Sequence, residues 1–466
     1  MPREALRFSR FCHLLPCKDN QFLLFHSLNM EIIFLVSGFS KIVEYFKYGK
    51  TADAIIQQMT LNEKEKSIFI KLIKQLLEYK MLVPVNYDET ELINQIRNEH
   101  LSGPAINLMY LILTDQCNYA CTYCFVEGPM PEDYKFSYMS TKMAKKRINL
   151  FADWSQKKES KNKSILFYGG EPLLNKKTFI DAVLYIQKLK EINALPKNTD
   201  ISIITNGSLI TKEIAKFIYD NKINIGLSID GESSFNNICR KFISGEGTFD
   251  AIYNGYCNLI DAGVKDVGIS LTVGYHNIDN LLENTKYIID KFSVKSLGYN
   301  ILMDSENKII TTPEYAEKVS DKIIECFKYL RERGIFEDKM MRKVEFFVNK
   351  KIYPNDCAAC GRQVVALPSG EIGPCQAFMG SKKYFSKNTK KFSPYENETF
   401  FEWSKRSPLS MTQCYNCIAV GLCGGGCPCR AQIRNGDIWA IDEIFCRYSK
   451  KIVNWIINDF AEQNGL

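Results

Sequence analysis

Three cysteines, Cys117, Cys121 and Cys124, are separated by three and then two intervening residues. Three thiolates leave one iron of a four-iron cluster without a protein ligand, much as a catalytic zinc site keeps one position open for its substrate. Zinc itself is the alternative metal, but zinc prefers four protein ligands, and no fourth Cys or His lies nearby in the sequence. The spacing therefore favours an iron–sulfur cluster with one open iron.

A second group of cysteines occupies the last third of the chain. Its members are Cys357, Cys360, Cys375, Cys414, Cys417, Cys423, Cys427 and Cys446. Eight thiolates can fully ligate two four-iron clusters. Paired Cys-x2-Cys spacing also suits zinc knuckles, but the upstream triad favours iron. Cys429 is an unassigned neighbour that could compete for one of these positions.

Composition limits the class of protein that carries these thiols. The chain has 466 residues, so two or three domains are expected. It has no run of about 20 apolar residues and no secretory signal pattern, which predicts a cytoplasmic protein without a membrane partner. Seventeen cysteines in such a chain indicate metal rather than disulfides. The net charge of +7 is mild, and no nucleic-acid motif appears, so no nucleic-acid partner is expected.

The first 95 residues are predicted to form a unit of their own. Residues 8–16 and 21–36 are predicted as short strands around the polar turn at 18–20. Helical patterns follow, with Thr51 and Asn62 as expected N-caps. Strands followed by three helices in so short a stretch suggest a small winged-helix-like domain. A polar linker or bridging helix follows, with the linker itself assigned to 96–104.

From residue 105 onward, strand and helix patterns alternate. Alternation of this kind predicts a parallel sheet with crossover helices. Six units rather than eight predict an α/β fold with a partial (β/α) barrel over 105–310, whose open side could admit a large substrate. A helical bridge over 311–350 and a cysteine-rich domain over 351–466 complete the chain. The predicted strands are 107–113, 165–168, 201–205, 223–229, 267–273 and 297–302.

Ligands of parallel α/β folds gather at the carboxyl ends of the strands, where the triad lies. The triad together with Gly169-Gly170-Glu171-Pro172, one predicted strand downstream, resembles the radical SAM superfamily. The resemblance implies that S-adenosylmethionine (SAM) binds the open iron. It also implies a set of SAM-contacting residues: Tyr123, Gly169, Gly170, Glu171, Asn206, Ser228 and Arg240. The family often places His-Asp before that arginine, whereas this chain has Asn236-Asn237 there. No catalytic side chain is assigned.

The later cysteines resemble the SPASM extension of radical SAM peptide and protein maturases, including Cys360-x9-Gly370-x4-Cys375. The resemblance implies three 4Fe–4S clusters, one that binds SAM and two auxiliary. The auxiliary ligands would interleave. Auxiliary cluster one would take Cys357, Cys360, Cys375 and Cys427. Auxiliary cluster two would take Cys414, Cys417, Cys423 and Cys446.

The N-terminal pattern resembles the PqqD-like recognition element, which binds a leader peptide by adding it to a sheet edge. The whole chain thus resembles a maturase of ribosomally made peptides, similar to sactisynthases and ranthipeptide synthases. Such an enzyme would form a thioether or carbon–carbon cross-link after a 5′-deoxyadenosyl radical abstracts hydrogen. Its partners would be a precursor peptide with a leader and an electron donor such as flavodoxin or ferredoxin. The alternatives are a sulfatase-maturase-like formylglycine-generating enzyme and a non-catalytic iron–sulfur or zinc protein.

Overall fold

A computed structural model describes most of the chain. The described residues are 4–17, 21–35, 39, 41–59, 61–126, 130, 133–157, 162–304, 309–387 and 392–464. The predicted turn at 18–20 lies outside these ranges. None of the helices within them is long and apolar enough to cross a membrane.

The N-terminal unit consists of short strands followed by three helices, as the sequence predicts. Thr51 accepts a hydrogen bond from the backbone N–H of Ala54, and Asn62 forms a capping box with Glu65, so both expected N-caps are present. Strands β2, β3 and β4 form an antiparallel sheet in that order, while β1 pairs with β5. The elements are β1 Leu6–Phe8, β2 Cys12–Pro16, β3 Phe22–His26, β4 Ile32–Leu35, α1 Ile42–Phe46, α2 Ala52–Gln58, α3 Glu63–Glu78 and β5 Leu82–Pro84.

Helix α4, Glu89–His100, occupies the stretch predicted as a linker or bridging helix. The expected domain boundary at residue 95 falls inside it. The side chain of Glu89 is 1% exposed and forms an ion pair with Arg7 (2.7 Å). Glu89 also accepts a hydrogen bond from the backbone N–H of Arg10 (3.0 Å). These contacts fasten α4 to the N-terminal unit rather than leaving it as a free linker.

Six parallel strands form the centre of the largest sheet, and they match the six predicted strands. Each strand lies beside its predecessor in the chain, because a helix crosses back between consecutive strands. The strands are β6 Leu108–Thr114, β7 Ser164–Gly169, β8 Asp200–Thr205, β9 Asn224–Ser228, β10 Val267–Val273 and β11 Ser296–Ile301. The helices between and beside them are α5 Thr141–Lys157, α6 Lys176–Glu191, α7 Lys212–Asp220, α8 Ser233–Cys239, α9 Phe249–Asp261 and α10 Leu281–Phe292.

The sheet continues beyond these six strands on both sides, which the sequence does not predict. Strand β12 pairs with β11 at one edge, while β13 pairs in parallel with β6 and β14 follows it at the other. The cysteine-rich region is therefore joined to the barrel by backbone hydrogen bonds. The remaining elements are α11 Pro313–Glu332, β12 Phe336–Glu337, α12 Asp338–Val348, β13 Gln363–Ala366, β14 Ile372–Gly373, α13 Glu398–Ser404, α14 Pro428–Asn435 and α15 Glu443–Gln463.

The N-terminal unit packs against the end of α12 and against one loop of the cysteine-rich region. The rings of Phe25 and Phe347 lie 6.2 Å apart, and Glu31 forms an ion pair with Lys350 (2.6 Å). A Cβ placed on Gly421 would lie 2.3 Å from the carbonyl oxygen of Ser27. Gly421 belongs to the loop between Cys417 and Cys423. The sheet and this cysteine-bearing loop therefore share one packed interface.

Candidate active site

The cysteine triad lies in the loop that follows β6. Cys117, Cys121 and Cys124 all line one cavity of about 680 Å³. Two backbone hydrogen bonds hold the loop against the end of α8 and the segment after it, from Thr122 to the carbonyl of Cys239 (3.1 Å) and from Ala120 to that of Lys241 (2.8 Å). Burial raises the pKa of the Cys117 thiol to about 12, and a bound metal ion favours the thiolate form of such a thiol. The position and chemistry of the three thiols fit an iron–sulfur cluster.

The two glycines after β7 hold the start of this loop. Gly170 donates a backbone hydrogen bond to the carbonyl oxygen of Thr114 (3.0 Å). A Cβ on Gly170 would lie 2.3 Å from the carbonyl oxygen of Gln116, so no larger residue fits. Both Gly169 and Gly170 line the cavity. The glycine pair therefore brings two adjacent strand ends together beside the cysteines.

Glu171 differs from the other predicted SAM contacts, because it does not line the cavity. Its carboxylate is completely buried and accepts hydrogen bonds from the hydroxyl of Thr205 (2.8 Å) and the backbone of Asn206 (2.8 Å) and Leu173 (3.0 Å). Burial raises the pKa of Glu171 to about 6, although these hydrogen bonds oppose the rise. Glu171 thus connects the ends of β7 and β8 and positions Asn206.

Asn206, Ser228, Arg240 and Tyr123, which come from separate strand ends and loops, all line the cavity. The amide nitrogen of Asn206 donates to the side-chain oxygen of Asn118 (2.8 Å). The guanidinium of Arg240 donates to the hydroxyl of Tyr123 (2.8 Å). The Nε of Arg240 is buried and has no hydrogen-bond partner among the described residues. Arg240 therefore retains donor capacity for an anionic ligand group.

A buried network behind Tyr123 contains two residues that the sequence-based site omits, Asp230 and His276. The hydroxyl of Tyr123 donates to the carboxylate of Asp230. The imidazole of His276 stacks on the Tyr123 ring with centroids 5.9 Å apart and lies 3.6 Å from the same carboxylate. Burial lowers the pKa of His276, but the nearby Asp230 carboxylate and Cys239 thiol outweigh it and raise the pKa to about 9. The network fixes Tyr123 and Arg240 together.

The departure from the His-Asp pattern before Arg240 has a local explanation. The side-chain oxygen of Asn236 accepts a hydrogen bond from the backbone of Asp230 (3.3 Å). The side-chain oxygen of Asn237 accepts from the backbone of Thr248 (2.9 Å) and Phe249 (3.0 Å). The two asparagines shape the loop, while His276 from the end of β10 provides the imidazole beside Asp230. No local sequence spacing could have indicated this pairing.

The C-terminal cysteines form two groups in space. Cys414, Cys417, Cys423 and Cys446 line one small cavity of about 30 Å³, and this set is the one that the resemblance implies for auxiliary cluster two. The second group faces the large cavity of the triad, and its lining members are Cys357, Cys375, Cys427 and Cys429.

Cys360, which the resemblance assigns to auxiliary cluster one, does not line the large cavity, whereas the unassigned Cys429 does. Cys360 is 2% exposed; burial, together with the nearby Cys427 thiol, raises its pKa to about 11. Cys360 therefore lies near the thiols of this second group without lining the cavity that they face. Among the described residues, no three His, Cys, Asp or Glu side chains converge on a point where they could hold a single metal ion.

A buried guanidinium, that of Arg406, lies close enough to both thiol groups to affect one thiol of each. Arg406 is fully buried and donates to the backbone carbonyls of Gly425 (2.6 Å) and Ala440 (3.2 Å). Its positive charge lowers the pKa of both Cys360 and Cys414, although burial of each thiol raises it more. A buried cation at this place therefore stabilises the thiolate forms of Cys360 and Cys414.

Residues 111–288 match the model of the radical SAM superfamily. This chain is a radical SAM protein. The radical SAM cyclopropyl synthase TigE of Paramaledivibacter caminithermalis is 23% identical over 98% of this chain and 96% of that protein. The cysteine-type anaerobic sulfatase-maturating enzyme of Clostridium perfringens is 25% identical over 72% of this chain and 92% of that enzyme. The crystal structure of Streptococcus suis SuiB bound to the precursor peptide SuiA has a TM-score of 0.50 at 15% identity, covering 95% of this chain and 99% of that one.

Membership of the superfamily implies SAM and one 4Fe–4S cluster as cofactors, and it makes this chain a radical SAM enzyme. The family match begins within β6 and ends within α10, so it contains the triad, the glycine pair and Arg240. The cofactors supply the radical chemistry. The protein's part in such an enzyme is to bind and orient the cofactors.

Proposed function

We propose that this radical SAM enzyme modifies a ribosomally synthesised precursor peptide and forms a thioether or carbon–carbon cross-link. The observation that carries the proposal is the single cavity of about 680 Å³ that holds both the triad and C-terminal thiols. A substrate in that cavity would contact the SAM site and the first auxiliary site together. The radical SAM cyclopropyl synthase TigE matches nearly the full chain, and the SuiB structure, which has a similar fold, holds a precursor peptide; both support the same conclusion.

The residues proposed to hold SAM are those of the predicted set that line the cavity. Cys117, Cys121 and Cys124 would hold the cluster, and Arg240 would bind the carboxylate of SAM, because a guanidinium can bond both of its oxygens. When bound, SAM supplies a 5′-deoxyadenosyl radical that abstracts hydrogen from the peptide. The other proposed contacts are Tyr123, Gly169, Gly170, Asn206 and Ser228, with Glu171 acting indirectly through Asn206.

The C-terminal thiols are proposed to hold two auxiliary 4Fe–4S clusters. The second would use Cys414, Cys417, Cys423 and Cys446, whose shared cavity supports the assignment. The first would use Cys357, Cys360, Cys375 and Cys427, with Cys429 as a neighbouring thiol. These clusters would accept the surplus electron of the reaction or hold a substrate thiolate. An external flavodoxin or ferredoxin would reduce the SAM cluster.

The N-terminal unit is proposed to bind the leader of the precursor. Its sheet has two outer strands, β2 and β4, whose backbone groups could pair with an added strand. This unit also packs against the rest of the chain, with Phe25 near Phe347 of α12 and Ser27 near Gly421 in the cysteine-bearing loop. A leader on the outer edge would therefore tether the peptide and raise its effective concentration at the cavity.

Formylglycine formation is the second candidate, since the sulfatase-maturating relative is 25% identical over 72% of this chain. That relative leaves more than a quarter of this chain unmatched. Formylglycine formation would change one Cys or Ser of a substrate without joining two residues. A non-catalytic iron–sulfur or zinc protein would produce no 5′-deoxyadenosine from SAM.

Co-expression of the enzyme with each short open reading frame that flanks its gene tests the proposal. We expect one encoded peptide to lose two hydrogen atoms, and fragmentation to find the loss shared between two linked residues. Release of 5′-deoxyadenosine should accompany the change. An oxidised single Cys or Ser would favour the formylglycine alternative. No release of 5′-deoxyadenosine by the reduced, iron-loaded protein would support the non-catalytic alternative.

A further inference from the structure

Lys339, in the first turn of α12, lines the same cavity as the cysteine triad. Its Nζ donates a hydrogen bond to the side-chain oxygen of Asn300 at the end of β11 (3.3 Å). The amide nitrogen of Asn300 donates in turn to the hydroxyl of Ser270 (2.8 Å), and Ser270 pairs with Ser228 on the neighbouring strand. A row of polar groups thus runs across the strand ends from the proposed SAM contact Ser228 to the amine of Lys339.

The carboxylates around Lys339 are engaged by other groups. Asp338 forms an ion pair with Arg342 (2.7 Å), and Asp356 lies 3.6 Å from the Nζ of Lys343. Glu337 accepts hydrogen bonds from backbone N–H groups, including that of Met340 (2.7 Å). Burial lowers the pKa of Lys339, and the charges of Asp356 and Glu337 oppose this only in part. The amine therefore gives up its proton more readily than a surface lysine.

Other titratable side chains of the cavity wall are poorly suited to accept a proton. Asp115 already accepts hydrogen bonds from the hydroxyl of Tyr134 (2.7 Å) and the backbone of Ser137 (2.6 Å). Asp356 accepts one from the hydroxyl of Tyr353 (3.3 Å) besides its contact with Lys343. Arginines do not deprotonate in proteins. Burial raises the pKa of the lining tyrosines, which keeps them protonated; they are Tyr110, Tyr119, Tyr123 and Tyr168.

We propose that Lys339 is the general base that takes the proton released from the peptide when the new bond forms. This assignment rests on the proposed cross-linking function. In that reaction a C–H bond and an X–H bond of the peptide break, and one C–X bond forms, where X is sulfur or carbon. The hydrogen atom leaves with the deoxyadenosyl group of SAM, one electron passes to an iron–sulfur cluster, and the proton passes to the neutral amine of Lys339. SAM is thereby consumed, and the electron that started its cleavage is recovered.

The ratio of cross-linked peptide to 5′-deoxyadenosine, measured with the holoenzyme and its co-expressed precursor, tests this role. A positioned general base contributes about 10²-fold or more, so Lys339→Arg and Lys339→Ala should each lower the ratio by about that factor. Lys339→Arg keeps the charge but cannot act as a base. The matched control is Lys216→Gln, which removes an exposed lysine paired with Asp220. Added ethylamine should restore the ratio in Lys339→Ala, and iron content confirms that each variant is loaded.

Two further measurements separate a base from a structural lysine. In the wild type, the ratio of cross-linked peptide to 5′-deoxyadenosine should rise as the pH is raised, and this rise should occur below the pH at which surface lysines lose their protons. Lys339→Ala should lack this rise. Acylation of the holoenzyme without peptide, followed by mass spectrometry, should label Lys339 at lower pH than Lys216. Wild-type ratios in both Lys339 variants, or labelling of Lys339 only at the pH of Lys216, would overturn the assignment. Failure of the wild type to modify any flanking peptide would instead overturn the proposed function, and the base with it.

Discussion

Replacing Tyr123 by phenylalanine removes one hydroxyl and keeps the ring that stacks on His276. The hydroxyl accepts from the guanidinium of Arg240 (2.8 Å) and donates to the carboxylate of Asp230. Asp230 is completely buried and Arg240 is 7% exposed. A hydrogen bond to a charged group contributes about 1.5–3 kcal/mol. Because Arg240 would have to be ordered again when SAM binds, we expect the affinity for SAM to fall by about tenfold or more.

Isothermal titration of SAM into the anaerobic, iron-loaded protein measures this effect. The matched control is Tyr448→Phe, since the buried hydroxyl of Tyr448 has no hydrogen-bond partner among the described residues. The control should bind SAM as the wild type does, which separates the loss of a network contact from the loss of a buried oxygen. An affinity of Tyr123→Phe within about twofold of the wild type, well below the factor of ten expected for one such bond, would refute the assignment of Arg240 as a SAM contact.

Three further predictions follow from the same geometry. Replacing Cys117, Cys121 and Cys124 together by alanine should remove about four irons and all cleavage of SAM, measured as iron content and 5′-deoxyadenosine. Burial raises the pKa of Glu171 from 4.5 to about 6, so its contribution to stability is full below pH 4.5 and is lost as pH rises through 6. The unfolding temperature of the wild type should therefore fall relative to Glu171→Gln over this range, by the equivalent of about 2 kcal/mol. Gly421→Ala should push the cysteine-bearing loop away from Ser27 and lower the iron content by up to about four irons. The matched control is Gly298→Ala, which should leave the iron content unchanged because a Cβ at Gly298 would meet no other atom within 4 Å.

The parts of the fold that follow local rules could be predicted from the sequence. The six central strands are apolar runs between helical patterns, and the caps at Thr51 and Asn62 need only neighbouring residues. Strands β12 and β14 have two residues each and β13 has four, so they carry no usable periodicity. Their pairing depends on where the bridge and the cysteine-rich region return to the barrel, which no local pattern specifies.

Part of the candidate site could likewise be predicted from the sequence, and part of it could not. The resemblance groups Cys414, Cys417, Cys423 and Cys446 into one ligand set, and these four thiols line one cavity. The cysteine spacings do not predict that Cys429 faces the large cavity while Cys360 lies outside its lining. The motif also suggests Glu171 as a contact, but its carboxylate accepts hydrogen bonds from the hydroxyl of Thr205 and the backbone of Asn206 at the end of β8. Lys339 is 215 or more positions from the triad in the chain, so only the three-dimensional fold brings its amine to the same cavity.

The transfer of deuterium from the peptide to 5′-deoxyadenosine tests the central claim most directly. The precursor is made with deuterated residues, incubated with the reduced holoenzyme and SAM, and 5′-deoxyadenosine is then analysed by mass spectrometry. The account predicts that 5′-deoxyadenosine gains one deuterium while the peptide gains a cross-link. A cross-linked peptide accompanied by 5′-deoxyadenosine without deuterium would contradict hydrogen abstraction from the peptide by this enzyme.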